Sequence, residues 1–245
     1  MNNIGLILSY DGSRYHGWQI QENLPTIQGT LQNAARKITK EPVNIIGCGR
    51  TDTGVHARHY VATFKTDCTI PIDRVPAALN SLLPRDIVVR DATVMVDGFH
   101  PVRSCIKKEY TYVVHNTRYP NPFYANYAHY HIGKLPIDTL QRAANHFIGE
   151  HDFASMRSLG TEVKSTVRHV YSFDVVDTEH GVDFVISANG FLYNMARTMA
   201  GTLLAVARGA ISPDDIPEIL ESRDRSRAGA TAPPQGLYMT NVIYR

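Results

Sequence analysis

Cysteine is scarce in this sequence of 245 residues, which contains only three, at positions 48, 68 and 105. An odd number of widely separated cysteines argues against a disulfide framework and fits a reducing compartment. The histidine clusters HARH and HYH are accompanied by no Cys-x-x-Cys pair. We therefore interpret these histidines as solvated or core residues rather than metal ligands, and we expect no metal site.

Long apolar runs are also missing. The most apolar stretch, residues 192–207, is interrupted by Arg197, so no membrane-spanning helix is expected. The opening segment NNIGLILSYDGS has no positively charged flank and runs into a polar turn, which argues against an export signal. We therefore expect a cytoplasmic protein.

Neither sign of charge is in large excess, since the formal net charge is +2 at pH 7. Residues 1–120 contain 14 Lys or Arg against 10 Asp or Glu, an excess of +4. Residues 121–245 contain 11 against 13, or −2. This distribution permits a polyanionic partner on the first half of the chain but does not by itself establish one.

Hydrophobic periodicity predicts two successive blocks that each mix strands and helices. In the first block we predict strands at IGLILSYDG, VNIIGCG, HYVATFK and DIVVRDATVM, with helices from about Thr26 and over residues 72–83. In the second we predict strands at KKEYTYVVHN and GLYMTNVIYR, a hairpin over 166–190 that turns at 179–181, and helices over 137–148, 191–208 and 214–222. This order indicates an α+β protein with a mainly antiparallel sheet and helices on one face.

Two prolines between Asn116 and Phe123 interrupt the pattern, so we predict halves of residues 1–118 and 119–245.

The segment GRTDTGVHA, residues 49–57, contains Asp-Thr-Gly, the tripeptide that carries the catalytic aspartate of aspartic proteases. Those enzymes need two aspartates that share a proton, supplied by two copies of the tripeptide or by a dimer. Here the tripeptide occurs once, and Arg50 beside it would favour the charged carboxylate, which opposes proton sharing. The protease interpretation is therefore the weakest.

Two other interpretations of Asp52 stay open on the local sequence. Asp and Gly between strands are typical of a polar turn, in which Asp52 or Thr53 would cap backbone amides. However, two arginines and a histidine accompany Asp52 within nine positions, directly after an apolar strand. Loops at the ends of strands commonly carry function, so a catalytic role is open beside the turn interpretation.

Five segments, spread in order over almost the entire chain, carry motifs that can be compared with those of a known family. They are YDGSRYHGWQIQENLPTIQGTL, GRTDTGVHA, IKKEYTY, NGFLYNMARTMAGTLL and GATAPPQGLYMTNVIY. Together they resemble the motifs of the tRNA pseudouridine synthase A family, whose catalytic loop reads Gly-Arg-Thr-Asp-x-Gly-Val-His. The resemblance implies that Asp52 is the catalytic nucleophile, that Tyr110 stacks on the target base and accepts a proton, and that Arg197 forms an ion pair with Asp52. Whether Asp52 attacks the ribose or removes a proton from it stays open.

The resemblance also implies a pseudouridine synthase fold, with two similar α/β halves and a central catalytic cleft. The implied activity is isomerisation of uridine to pseudouridine at positions 38, 39 and 40 in the anticodon stem and loop of tRNA. It implies tRNA as the partner, a homodimer, and no metal or organic cofactor. The alternative is a catalytically inactive tRNA-binding protein, against which the intact catalytic set argues.

Further residues are predicted to contact the RNA. Arg50 and His56 would flank the nucleophile, with Arg50 positioning the RNA. Candidate phosphate contacts are Arg58, Arg14, Arg103, Lys107 and Lys108, and candidate apolar walls are Leu237 and Val185. Each of these has a plainer alternative, as a solvated surface charge or as core packing. The chain departs from the family pattern at Asn194, where histidine is common, and at Met156, where an aromatic residue is usual.

Overall fold

The computed structural model describes residues 1–160 and 163–245. The chain divides into two compact units, one of residues 1–106 and 239–245 and the other of residues 107–238. The first unit contains β1 (Asn2–Tyr10), α1 (Ile27–Thr39), β2 (Ile46–Gly47), β3 (His56–Thr66), α2 (Val75–Asn80) and β4 (Ile87–Val94). The second contains β5 (Cys105–His115), β6 (His129–Tyr130), α3 (Ile137–Asn145), β7 (Gly149–Asp152), β8 (Val167–Thr178), β9 (Gly181–Ala188), α4 (Met195–Ala207) and α5 (Ile216–Ser222). β5 begins two residues before the second unit, and β10 (Leu237–Tyr244) passes from the second unit into the first at residue 239.

The first unit is built on an antiparallel sheet in which β1 lies between β4 and β3, with β2 paired to β3. The register places Leu6 opposite Ala62 and Leu8 opposite Tyr60. All four side chains are fully buried. Because alternate residues of a strand share one face, this register puts one face of β1 and β3 into the core.

Helix α1 begins where the sequence predicts. Thr26 is its N-cap, and the side-chain oxygen of Thr26 accepts a hydrogen bond from Gly29 N–H at 3.3 Å. Ile27 and Leu31 lie four positions apart, which is helical spacing, and both are fully buried, so they form the apolar face of α1 and confirm the predicted helix.

The second unit has a sheet in the order β5-β9-β8-β7, all antiparallel, and β6 runs parallel to β5. β8 ends at Thr178 and β9 begins at Gly181, so the predicted hairpin and its turn are confirmed. The predicted α+β class with mainly antiparallel strands is likewise confirmed in both units.

Several helix ends differ from the prediction. α4 begins at Met195 rather than Phe191, because Asn194 has φ 60° and ψ 4°, a left-handed conformation that a helix cannot include. α3 ends three residues early, and residues 72–83 form a 3-10 turn followed by the short α2. The sequence also misses β7, because its segment GEHD contains residues that are disfavoured in strands. No helix in the part of the chain that the structure describes is long and apolar enough to cross a membrane.

Candidate active site

The loop that carries Asp52 connects β2 to β3, and Asp52 is half-buried within it. Val55 N–H donates to the Asp52 carbonyl at 3.1 Å, which closes a four-residue turn. Gly54 occupies the third position of this turn with φ 78°, a conformation that glycine adopts without steric cost. The tripeptide is therefore a polar turn in its local geometry, and it holds a carboxylate at a defined place.

Backbone groups of the segment after β1 hold this turn. Trp18 N–H donates to the Thr51 carbonyl at 3.1 Å, and Gly54 N–H donates to the Tyr15 carbonyl at 3.3 Å. These two bonds bracket Asp52 on both sides along the chain. Buried or partly buried backbone hydrogen bonds are costly to break, so they fix the position of the turn.

Two glycines make this close approach of backbones feasible. A Cβ atom on Gly17 would lie less than 3.0 Å from the Thr51 carbonyl oxygen, and one on Gly12 would lie equally close to the Val55 carbonyl. Gly17 also has φ 77°, which disfavours any residue with a side chain. Both positions therefore require glycine for packing against the Asp52 turn.

A buried aromatic cluster supports the turn from within the same unit. The Tyr10 hydroxyl and Thr51 Oγ1 are hydrogen-bonded at 2.9 Å, and the Tyr60 hydroxyl donates to the Gly49 carbonyl. The rings of Trp18 and Tyr60 stack with centroids 4.2 Å apart. Burial raises the pKa of Tyr10 far above its ordinary value, so its hydroxyl stays protonated.

His56 lies at the other end of the loop, at the start of β3, and its side chain is almost completely buried. Its Nδ1 accepts a hydrogen bond from Gly12 N–H at 3.1 Å and also lies 3.1 Å from Asp11 Oδ1. A ring nitrogen accepts from an amide only without a proton, whereas a carboxylate contact needs a proton on it. Nδ1 therefore lies between an amide donor and a carboxylate acceptor, and the presence or absence of a proton on this one nitrogen selects between them.

The basic residues predicted to contact RNA have different surroundings. Arg50, Arg58 and Arg103 are exposed, and Lys107 and Lys108 are half-buried. Arg14 forms a salt bridge with Asp86, with Nε 2.9 Å from Oδ2. A phosphate contact by Arg14 would therefore compete with Asp86, and all these contacts stay predictions.

Tyr110 lies in β5, opposite Ile186 of β9. Its side chain is 7% exposed, and its ring packs edge-to-face on Phe191, with centroids 4.8 Å apart and an interplanar angle of 79°. Edge-to-face packing restricts the orientation of the ring. Of the predicted apolar walls, Leu237 is buried and Val185 is half-buried.

Arg197 lies in the first turn of α4 and is anchored by neighbours in its own unit. Its Nε donates to the Ala232 carbonyl at 2.8 Å, and its Nη1 donates to Asn194 Oδ1 at 2.8 Å. Ala232 N–H in turn donates to the Arg197 carbonyl at 3.1 Å. The guanidinium is therefore oriented at two of its five N–H groups by neutral acceptors, which leave its charge intact.

Comparison with known proteins assigns the chain to a family. The family profile described as tRNA pseudouridine synthase matches residues 6–97 and 143–245. Proteins named tRNA pseudouridine synthase A from Caldicellulosiruptor bescii and Thermoanaerobacter sp. (strain X514) are 48% and 46% identical over 244 residues, covering 100% of both chains. The one from Bacillus subtilis (strain 168) is 44% identical over 239 residues, 97% of each chain. The chain belongs to the tRNA pseudouridine synthase family.

Within the tRNA pseudouridine synthase match, Asp52 and Arg197 fall inside the matched ranges, and Tyr110 falls between them. The sequence misses Asp11 beside His56 and Phe191 beside Tyr110, which are neighbours of predicted site residues, and Ser158 beside Asn194, the position that departs from the family pattern. Asp11 and Phe191 lie in the family-like segments, which is the one signal that could have found them.

Across the described residues, no three His, Cys, Asp or Glu side chains are grouped to hold a metal ion.

Proposed function

We propose that this protein isomerises uridine to pseudouridine at positions 38, 39 and 40, in the anticodon stem and loop of tRNA. The observation that carries the proposal is the fixed turn presenting Asp52, in a chain that is 48% identical end to end to a tRNA pseudouridine synthase A. Asp52 is half-buried, so it is accessible yet held in place by buried neighbours. This is the placement that a catalytic carboxylate needs.

The chemistry breaks the bond between N1 of the base and C1′ of the ribose, rotates the base, and joins its C5 to C1′. No oxidant and no external energy source are required, so one carboxylate can serve as the nucleophile. Asp52 must be ionised in this role, and Arg197 is proposed to hold it so by a bidentate ion pair that lysine could not reproduce. The neutral anchors of Arg197 support this role, since they orient the guanidinium without cancelling its charge.

Tyr110 is proposed to stack on the flipped base and to accept the proton released from C5. Extrusion of a base costs a few kcal/mol, and stacking on an aromatic ring recovers roughly 1–3 kcal/mol per base. The edge-to-face contact with Phe191 supports this role, because it holds the Tyr110 ring in one orientation before a base arrives.

The remaining assignments concern the assembly. Arg50 is proposed to position the RNA, with His56 beside Asp52, and the basic residues Arg14, Arg58, Arg103, Lys107 and Lys108 are proposed to contact phosphates. Residues 1–118 and 119–245 are proposed as the two halves whose catalytic residues work together, in a cytoplasmic homodimer. A dimer would extend the basic surface that recognition of tRNA by shape requires.

Tritium release from C5-labelled uridine in unmodified tRNA tests the proposal. Wild type should release tritium and Asp52→Asn should release none, while both bind tRNA equally in a gel-shift assay. Thr53→Ala is the control in the same turn, because the Thr53 side chain is exposed, and it should react at close to the wild-type rate. Binding of tRNA without release by wild type would instead establish an inactive tRNA-binding protein.

A further inference from the structure

Asn194 stands directly before α4, in a conformation that few residues adopt. Its φ of 60° makes it one of four non-glycine residues with positive φ among those the structure describes. Asparagine tolerates this conformation better than most residues, whereas β-branched residues do not. The conformation directs the chain into the helix with Arg197 three residues further on.

The carboxamide of Asn194 joins two side chains. Its Nδ2 donates to Ser158 Oγ at 2.9 Å, and its Oδ1 accepts from Arg197 Nη1 at 2.8 Å. The assignment of oxygen and nitrogen follows from chemistry, because a guanidinium can only donate. Arg197 therefore fixes which end of the amide faces it, and Ser158 holds the opposite end in place.

Three separate contacts thus converge on one guanidinium and its helix. The Asn194 oxygen holds Nη1, the Ala232 carbonyl holds Nε, and Ala232 N–H holds the Arg197 backbone. Two fixed bonds on a planar group with delocalised charge determine the plane of the group as well as its position. The edge of the guanidinium that is turned toward its remaining partners is therefore set by Asn194 and Ala232.

We propose that Asn194, locked by Ser158, is a positioning residue that orients the Arg197 guanidinium for catalysis while leaving its charge undiminished. The inference rests on the proposed function, in which Arg197 keeps Asp52 ionised. The proposal depends on Asn194 being uncharged, because an amide oxygen orients a guanidinium without forming an ion pair with it. A carboxylate of the same size at this position would compete with the Asp52 carboxylate for the same charge.

Two substitutions of Asn194 separate orientation from charge. Asn194→Gly keeps the left-handed backbone and removes the side chain, so kcat should fall about 10- to 100-fold, since small displacements of catalytic groups cost up to about 100-fold. Asn194→Asp keeps the size, the backbone tolerance and an acceptor oxygen, but adds a negative charge beside Arg197. It should also lower kcat by at least about 10-fold, whereas KM for tRNA should change by less than about 3-fold in both variants.

Asn23 provides matched controls, because it is exposed and has the same φ of 60°. Asn23→Gly and Asn23→Asp carry the same backbone and charge changes in the first unit and should keep the wild-type kcat. Ser158→Ala removes the lock on the amide and should lower kcat about 3- to 10-fold, because the amide oxygen then samples other orientations. Combined with Asn194→Gly, Ser158→Ala should add nothing further, since both act through one amide.

The readouts are steady-state tritium release at varied tRNA concentration, which gives kcat and KM, and the urea midpoint of unfolding. Loss of kcat in Asn194→Asp with an unchanged unfolding midpoint supports the proposal, because a merely structural role would tolerate an isosteric acceptor. A wild-type kcat in Asn194→Gly or in Asn194→Asp overturns it. If the glycine variant does not fold, the aspartate and Ser158→Ala variants decide in the same way. Failure of the proposed function is distinct, since wild type itself would then release no tritium.

Discussion

Gly17 offers the sharpest test of how the Asp52 turn is held in place. In Gly17→Ala the new Cβ would lie less than 3.0 Å from the Thr51 carbonyl oxygen, at a φ of 77°. The left-handed conformation alone costs a residue with a side chain roughly 1–2 kcal/mol. The contact adds to this cost, because the neighbour is backbone and must move together with Asp52. We expect the free energy of unfolding to fall by about 2–4 kcal/mol and kcat to fall about 100-fold.

Gly98→Ala separates the two contributions. Gly98 has a φ of 79°, and a Cβ there would meet nothing within 4 Å. This control should lose only the conformational cost of roughly 1–2 kcal/mol and should keep the wild-type kcat. Urea denaturation and tritium release measure the two quantities in both variants. Equal losses of stability in the two variants, or an unchanged kcat in Gly17→Ala, would refute the idea that backbone contact at Gly17 positions Asp52.

Two further predictions concern the second unit. Gly201→Ala in α4 should destabilise the protein, because the new Cβ would lie less than 3.0 Å from the Ala230 carbonyl oxygen. This contact should outweigh the preference of helices for alanine over glycine, which is about 0.8–1.0 kcal/mol. A raised urea midpoint would contradict this prediction. Burial is the main cause that lowers the pKa of both His129 and His131. His131 and Arg208 lower the pKa of His129 further, and Arg208 lowers that of His131. Because the unfolded chain then binds more protons below the ordinary value of 6.5, the free energy of unfolding should fall as the pH drops through that value. Arg208→Ala should make this fall shallower, and midpoints at about pH 7.5 and about pH 5.5 would test it.

Local patterns were sufficient to predict much of the fold. The helical spacing of Ile27 and Leu31 and the cap at Thr26 specify α1, and the Gly181 turn between alternating strands specifies the β8–β9 hairpin. The start of α4 could not be predicted in this way, because the pattern of apolar residues continues through Asn194 without showing its left-handed backbone.

In the candidate site, too, local features could be predicted from the sequence and long-range contacts could not. Asp52 stands out because its motif is contiguous in the sequence. Its supports are not contiguous, because Gly17 is 35 positions from Asp52 and the contact between them involves no side chain on the glycine. Likewise, Ser158 is 36 positions from Asn194, and nothing in its local sequence marks it as a partner. Contacts of this kind depend on the fold, because the residues that make them are distant in the sequence.

The backbone contacts at Gly12 and Gly17 bear on attempts to transplant this catalytic loop into another scaffold. A graft of residues 49–57 alone would carry the carboxylate but leave behind the two glycines against which the turn closes. A graft that keeps these contacts therefore needs two separate segments of the chain, residues 10–18 and residues 48–60. Within it, Thr53 is an exposed position at which a designer could place a label or a crosslinker.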